Sequence, residues 1–160
     1  MGLNSLALEK RIAAGERVLI DTSVLIAYLD GTANDATHDV ASHLVDHMVS
    51  SGRNPATVSP VTAMELLVRP LRLSPSKAAH VHGFLTHAPH LTLLPLDLFV
   101  AQEAATLRAT HKFKSVDALV IATGVVAQVH HLVTNDAEWR NKLAPIKDRI
   151  KVTMPKDYIT

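Results

Sequence analysis

Short apolar runs alternate with longer amphipathic ones along the chain. RVLI (17–20), ATVS (56–59), LTLL (91–94), HLVT (131–134) and RIKVT (149–153) are brief, rich in β-branched residues and Leu, and bounded by polar residues or Pro, which predicts five strands. Helical spacing fills the gaps between them. Val40, Ala41, Leu44, Val45, Met48 and Val49 recur on one face, with Gly52 as a stop, which predicts a helix over 36–51. Ser74-Pro75 opens a helix to about His87, Asp97 caps one through Thr110, and Ser115 caps one through about Gln128. Strands separated by helices imply a parallel sheet covered on both faces. No repeat or linker divides the 160 residues, so one domain is expected, with residues 17–153 as its core and 1–16 as an added N-terminal helix.

The stretch VLIDTSVLIAYL (18–29) suits burial except for one carboxylate, Asp21. An unpaired carboxylate there would cost several kcal/mol or take up a proton, so a partner is required. Three other acids also stand in apolar stretches. Glu65 falls one to two turns into the helix after ATVS, Asp117 in the first turn of the very apolar SVDALVIATGVVAQ, and Asp136 two residues after HLVT. Ligands of parallel α/β sheets bind beyond the carboxyl ends of the strands, and Asp21 and Asp136 both project from that edge.

Each acid also has a plain structural reading. Asp21, Asp117 and Asp136 lie near helix starts, where a carboxylate caps free N–H groups. Thr22, Ser23, Ser115 and Asn135 already offer neutral caps beside them, however, so capping alone does not require the charge. Glu65 is either a solvated helix edge or a member of a cluster. Several carboxylates gathered without bases between them would repel each other unless a cation intervened. Cys is absent and no His adjoins the four acids, so the donors are oxygens, which suit Mg²⁺ or Mn²⁺ better than zinc. Such ions commonly join carboxylates to substrate phosphate, and phosphodiester hydrolysis is the matching chemistry.

Composition narrows the setting. The absence of Cys excludes disulfides, and the start lacks a secretory pattern, so a cytoplasmic protein without membrane contact is expected. A net charge of +1 excludes no partner class. Ten His residues include His43 and His47 at helical spacing and a group at His80, His82, His87 and His90, but no zinc motif accompanies them, and they read as surface or rim residues. His130 and His131, at a strand start, read as structural.

The ordered set LIDTSVLIAYL, SPVTAMELLVRP, KSVDALVIATG and HLVTNDAEW closely resembles the PIN domain, and within it the VapC-type ribonuclease toxins of toxin–antitoxin pairs. The resemblance implies a three-layer α/β sandwich with a parallel sheet of about five strands. It also implies Mg²⁺- or Mn²⁺-dependent RNA cleavage by Asp21, Glu65, Asp117 and Asp136, with Asp21, Asp117 and Asp136 on the metal and Thr134 and Asn135 supporting it. A homodimer and a small antitoxin that blocks the active site are implied as partners, with the helices at 36–51 and 75–87 as sources of its groove. Arg69, Lys112, Lys114 and Arg140 are the basic residues nearest the motifs and are the candidates for RNA contacts. Two departures stand out. The chain reads Asp136-Ala137-Glu138-Trp139 where relatives often place Asp-Phe, which leaves the role of Glu138 open, and Gly124 replaces a more usual Ala on the face of Asp117. Competing readings are a phosphatase with an Asp nucleophile, which lacks its second acid at Ser23, and a catalytically inactive PIN-like module that only binds RNA or protein.

Overall fold

In the computed structural model, residues 2–32 and 34–160 are described. They form five three-residue strands, β1 (Val18–Ile20), β2 (Ala56–Val58), β3 (Leu91–Leu93), β4 (His131–Val133) and β5 (Lys151–Thr153), in one parallel sheet of order β3-β2-β1-β4-β5. The α-helices are α1 (Ser5–Arg11), α2 (Thr22–Asp30), α3 (Ala36–Ser42), α4 (Pro60–Leu73), α5 (Pro75–His87), α6 (Leu98–His111), α7 (Ser115–Val126) and α8 (Glu138–Lys142). This is the covered parallel sheet that the alternation of runs predicts, and it matches the α/β sandwich that the resemblance implies. Among the described residues, no helix is long and apolar enough to cross a membrane.

Two apolar layers hold the sheet. Val18, Ile20, Ala56, Val58 and Val133 face one of them, with Leu8, Ile12, Leu25, Leu44, Met48 and Leu85 from the helices; Leu19 and Leu132 face the other, with Leu107, Ile121, Trp139 and Ile150. This alternation explains why β1 reads as unbroken Val-Leu-Ile: both faces of a central parallel strand are covered.

The strands are each shorter than predicted because their flanking residues serve other elements. Ser59 caps α4 through its side chain, which accepts a bond from the Val61 N–H, and Thr134 turns its hydroxyl to Asp21. The predicted helix over 36–51 is α-helical only to Ser42, then continues as π-helix over His43–Val49, with the Ser50 N–H bonded to the Val45 carbonyl. Gly52 ends it at φ +81°, a left-handed conformation that glycine adopts freely. Asp97 caps α6 as expected, but α6 runs one residue beyond Thr110 and closes on a left-handed Lys112. Ser115 is the first residue of α7, not its cap; Lys114 holds that position without a side-chain bond, and α7 ends at Val126, short of Gln128.

Gly124 packs α7 onto the sheet. A Cβ there would stand 3.0 Å from a Leu19 methyl, 3.1 Å from Val129 and 3.3 Å from Ile150. The close approach is to the core, not to the candidate site. At the amino edge of the sheet, His131 is fully buried, with Nε2 2.6 Å from Glu16 Oε2 and Nδ1 2.8 Å from Thr153 Oγ1. Arg11 Nε donates to that same Thr153 hydroxyl, which ties α1 to β5. This chain of donors suits neutral His131 protonated at Nε2. Burial, reinforced by the charges of Arg11 and Lys151, lowers the His131 pKa against the opposing pull of Glu16. Glu16 is itself lowered: burial alone would raise it, but its bonds to His131 and the Ala13 N–H outweigh that.

Two outcomes are expected. Gly124→Val should lose about 1–3 kcal/mol by overpacking, read from urea unfolding; unchanged stability would show that the sheet contact yields freely. His131 should stay neutral in the fold after it would gain a proton in the unfolded chain, so stability should drop as pH falls below about 6.5. Thermal unfolding from pH 7.5 to 5 should show this drop in the native chain and a shallower one in His131→Gln. Equal slopes would remove His131 as the cause.

Candidate active site

The order β3-β2-β1-β4-β5 means that the chain winds outward from β1 to β3 and then returns to the other side of β1. The β1/β4 boundary is therefore a topological switch point, where connections leave in opposite directions and a crevice opens at the carboxyl edge. Asp21 follows β1 and Asp136 follows β4, one on each side of it. A cleft of about 320 Å³ lies there, lined by Asp21, Thr22, Ser23, Glu65, Asp117, Asp136, Trp139 and Lys142 among others. Folding thus brings four acids to one cleft from the β1–α2 junction, α4, α7 and the β4–α8 turn.

Their partners separate capping from other work. Asp21 is the N-cap residue of α2 by position, yet its side chain makes no capping bond. Its Oδ2 instead accepts the Thr134 hydroxyl at 2.7 Å and the Ser23 hydroxyl at 3.1 Å. The capping explanation therefore does not account for Asp21. Asp136 does act locally, accepting the Glu138 N–H at 2.9 Å through Oδ1, while its own N–H donates to Thr134 Oγ1 at 3.0 Å. Thr134 is fully buried and so joins the two acids through one hydroxyl. Ser23 Oγ also accepts the Asn135 N–H at 2.9 Å, whereas the buried Asn135 Oδ1 has no partner.

Glu65 is more exposed than its apolar neighbours imply. It stands on the open side of α4, with Oε2 accepting the Thr22 hydroxyl at 2.9 Å. Asp117 caps nothing; its Oδ1 lies 3.4 Å from Lys142 Nζ. Lys142 is the basic residue lining the cleft, and its ammonium also lies 4.7 Å from the centre of the buried Trp139 ring. Four carboxylates against one ammonium leave the cleft strongly acidic. Lys142 is not among the residues nominated from the sequence; its spacing of three from Trp139, directly after the Asp136 motif, is the signal that points to this place.

The four basic residues singled out for RNA contact do not line this cleft. Arg69 borders an adjoining groove that also includes Glu65, Lys112 and Lys114 occupy the exposed α6–α7 turn, and Arg140 pairs with Asp157 at the surface. The histidines behave as rim or structural groups, His43 bonding Glu9 and His131 serving the amino edge.

The donor set fits a hard divalent ion in kind, since it consists of carboxylates with supporting hydroxyls and no sulfur or imidazole. As the side chains stand, no three His, Asp or Glu residues among those described lie close enough to share one ion. Carboxylate rotation within the cleft would be needed. The hydroxyl of Thr134 holds the geometry on which this depends. Thr134→Val should cost about 1–2 kcal/mol, because it strands the Asp136 N–H and removes one donor from Asp21; urea unfolding at or above wild-type stability would show that this bridge contributes nothing.

Comparison with known proteins now adds to the geometry. A comparison of the sequence with curated proteins finds no match. Among solved structures, the fold is similar to the DNA-bound VapBC of Salmonella typhimurium (TM-score 0.65, 18% identity, covering 88% of this chain and 98% of that one). It is also similar to FitAcB of Neisseria gonorrhoeae (TM-score 0.62, 21% identity, 87% and 98%) and to Mycobacterium tuberculosis VapC20, a sarcin-ricin loop cleaving toxin (TM-score 0.58, 17% identity, 78% and 94%). The family model described as PIN domain matches residues 18–142, spanning all four acids and Lys142, and the chain belongs to the PIN domain family.

Proposed function

We propose that the chain is a Mg²⁺- or Mn²⁺-dependent endoribonuclease and the toxin of a type II toxin–antitoxin pair. The observation that carries this reading is the arrival of Asp21, Glu65, Asp117 and Asp136 from separate elements at one cleft on the β1/β4 switch point. PIN membership and the likeness to VapBC and VapC20 support it.

In this reading Asp21, Asp117 and Asp136 hold the ion, which when bound supplies Lewis-acid polarisation of a phosphate and an acidified water. Thr134 and Ser23 fix one oxygen of Asp21 and leave the other to the cleft. Thr22 holds one oxygen of Glu65, so the second is free to orient the attacking water and accept its proton. Attack in line with the phosphate releases the 3′ oxygen. The unpartnered Asn135 carbonyl is the group best suited to take a hydrogen bond from a bound water.

An antitoxin partner is part of the proposal. A pocket of about 80 Å³ lined by Ile26, Leu29, Leu66, Pro70 and Val81 together with Asp30, Glu65 and Arg69 adjoins the cleft and has room for one side chain of an inserted partner segment. Helix α5 contributes Val81, whereas residues 36–51 do not reach it. A homodimer and a cytoplasmic location complete the reading.

The test is RNA cleavage by purified chain with Mg²⁺ or Mn²⁺. Asp21→Asn should lower the rate on the order of a hundredfold or more while circular dichroism stays native, and EDTA should silence the wild type. Cleavage that persists undiminished in Asp21→Asn would exclude the proposed role of Asp21 and of the cleft it belongs to. Absence of cleavage in every form, with RNA still bound, would favour the inactive binding module.

A further inference from the structure

Three of the four acids in the cleft are held by uncharged donors. Asp21 has the hydroxyls of Ser23 and Thr134, Glu65 that of Thr22, and Asp136 the Glu138 N–H. Asp117 alone has a charged partner, Lys142, at 3.4 Å. The pair is partly shielded, with side chains 17% and 29% exposed respectively. Trp139 lies against the same ammonium, and Glu138, one turn earlier on α8, presents a second carboxylate 3.8 Å from Nζ while remaining 79% exposed.

We propose that Lys142 is a built-in counter-cation of the cleft: it neutralises Asp117 until a divalent ion binds, and is then displaced onto Glu138. The proposal rests on the metal-dependent reading above. Its physical basis is competition for one carboxylate. An ammonium and a divalent ion on the same Asp117 oxygen would repel at short range in a partly desolvated cleft, so occupancy by one weakens the other. Glu138, four residues before Lys142 on one helical face, gives the displaced charge a solvent-exposed partner and so lowers the cost of the exchange. Lys142 is thereby a positioning residue for Asp117, and sets the concentration of ion at which the cleft fills.

The sole tryptophan of the chain, Trp139, reports the exchange, since its ring faces the moving ammonium. Mg²⁺ is titrated calorimetrically into wild type, Lys142→Met and Asp21→Asn, and Trp139 emission is followed in the same titrations at fixed ionic strength. Lys142→Met should bind Mg²⁺ on the order of tenfold tighter than wild type. Mg²⁺ should change Trp139 emission in wild type and leave it nearly unchanged in Lys142→Met. Wild-type or weaker affinity in Lys142→Met overturns the proposal. So does Asp21-dependent Mg²⁺ binding that leaves wild-type emission unmoved, an arm that stands even if the Met variant does not fold. If wild type shows no Asp21-dependent binding at all, the metal-dependent reading falls and takes this inference with it.

Discussion

Parallel pairing of β1 with β4 is the contact on which the candidate site depends. The two strands are separated by more than a hundred residues, yet their registered pairs, Val18 with His131 through Ile20 with Val133, bring the residues just beyond each strand side by side. Thr134 then leaves the sheet with a buried hydroxyl, and that hydroxyl reaches Asp21 while receiving the Asp136 N–H. A one-residue slip in this pairing would turn β4 over and send Thr134 away from Asp21. Register is fixed because both faces of β1 and β4 meet apolar layers, so core packing indirectly sets the position of the acids.

The cleft shows how a fold can gather acids without neutralising them. Burying a carboxylate costs free energy unless its oxygens find donors, and here the donors are mostly neutral. Ser23, Thr22 and Thr134 each satisfy one oxygen and leave the charge in place. Capping, the competing explanation for acids at helix starts, accounts for part of Asp136 and for none of Asp21 or Asp117. A cluster so arranged keeps its charge, though its carboxylates would have to rotate together to share one ion, and PIN membership makes a nuclease the most economical account of it.

The strands and the longer helices were legible because each carries a local signal: short runs of β-branched residues and Leu for the strands, unbroken only in Val18–Ile20, and the start residues Ser74-Pro75 and Asp97 for α5 and α6. The acids were legible because charge is rare within such runs. Other features are set across the chain and leave little local trace. The π-helical turn at 43–49 has a helical apolar stripe like any other, and the pattern cannot tell the two apart. The exposure of Glu65 follows from which side of α4 the sheet covers. Lys142 reaches Asp117 only because α8 packs Trp139 into the layer beneath α7, a contact between residues 25 apart. Arg69, Lys112, Lys114 and Arg140, nominated by proximity in sequence to the motifs, stand around the cleft rather than in it, because basic side chains at the surface follow helix faces rather than motif order.

Strand β4 also divides two kinds of polar burial. It begins with His131, buried and fully partnered by Glu16 and Thr153, and is followed at its far end by Thr134, buried and serving the acids; at about 3.3 Å per residue the two ends lie roughly 10 Å apart. The amino-edge network anchors α1, since Arg11 bonds both the Thr153 hydroxyl and the Val152 carbonyl while Leu8 and Ile12 are fully buried below. Thr153 touches both ends, its hydroxyl taken by the His131 network and its carbonyl accepting the Thr134 N–H. The link between them is thus one backbone bond in a sheet ladder, which transmits position but little charge. The amino-edge network can therefore hold the N-terminal segment in place while the charge of the cleft is balanced locally, by Lys142 against Asp117.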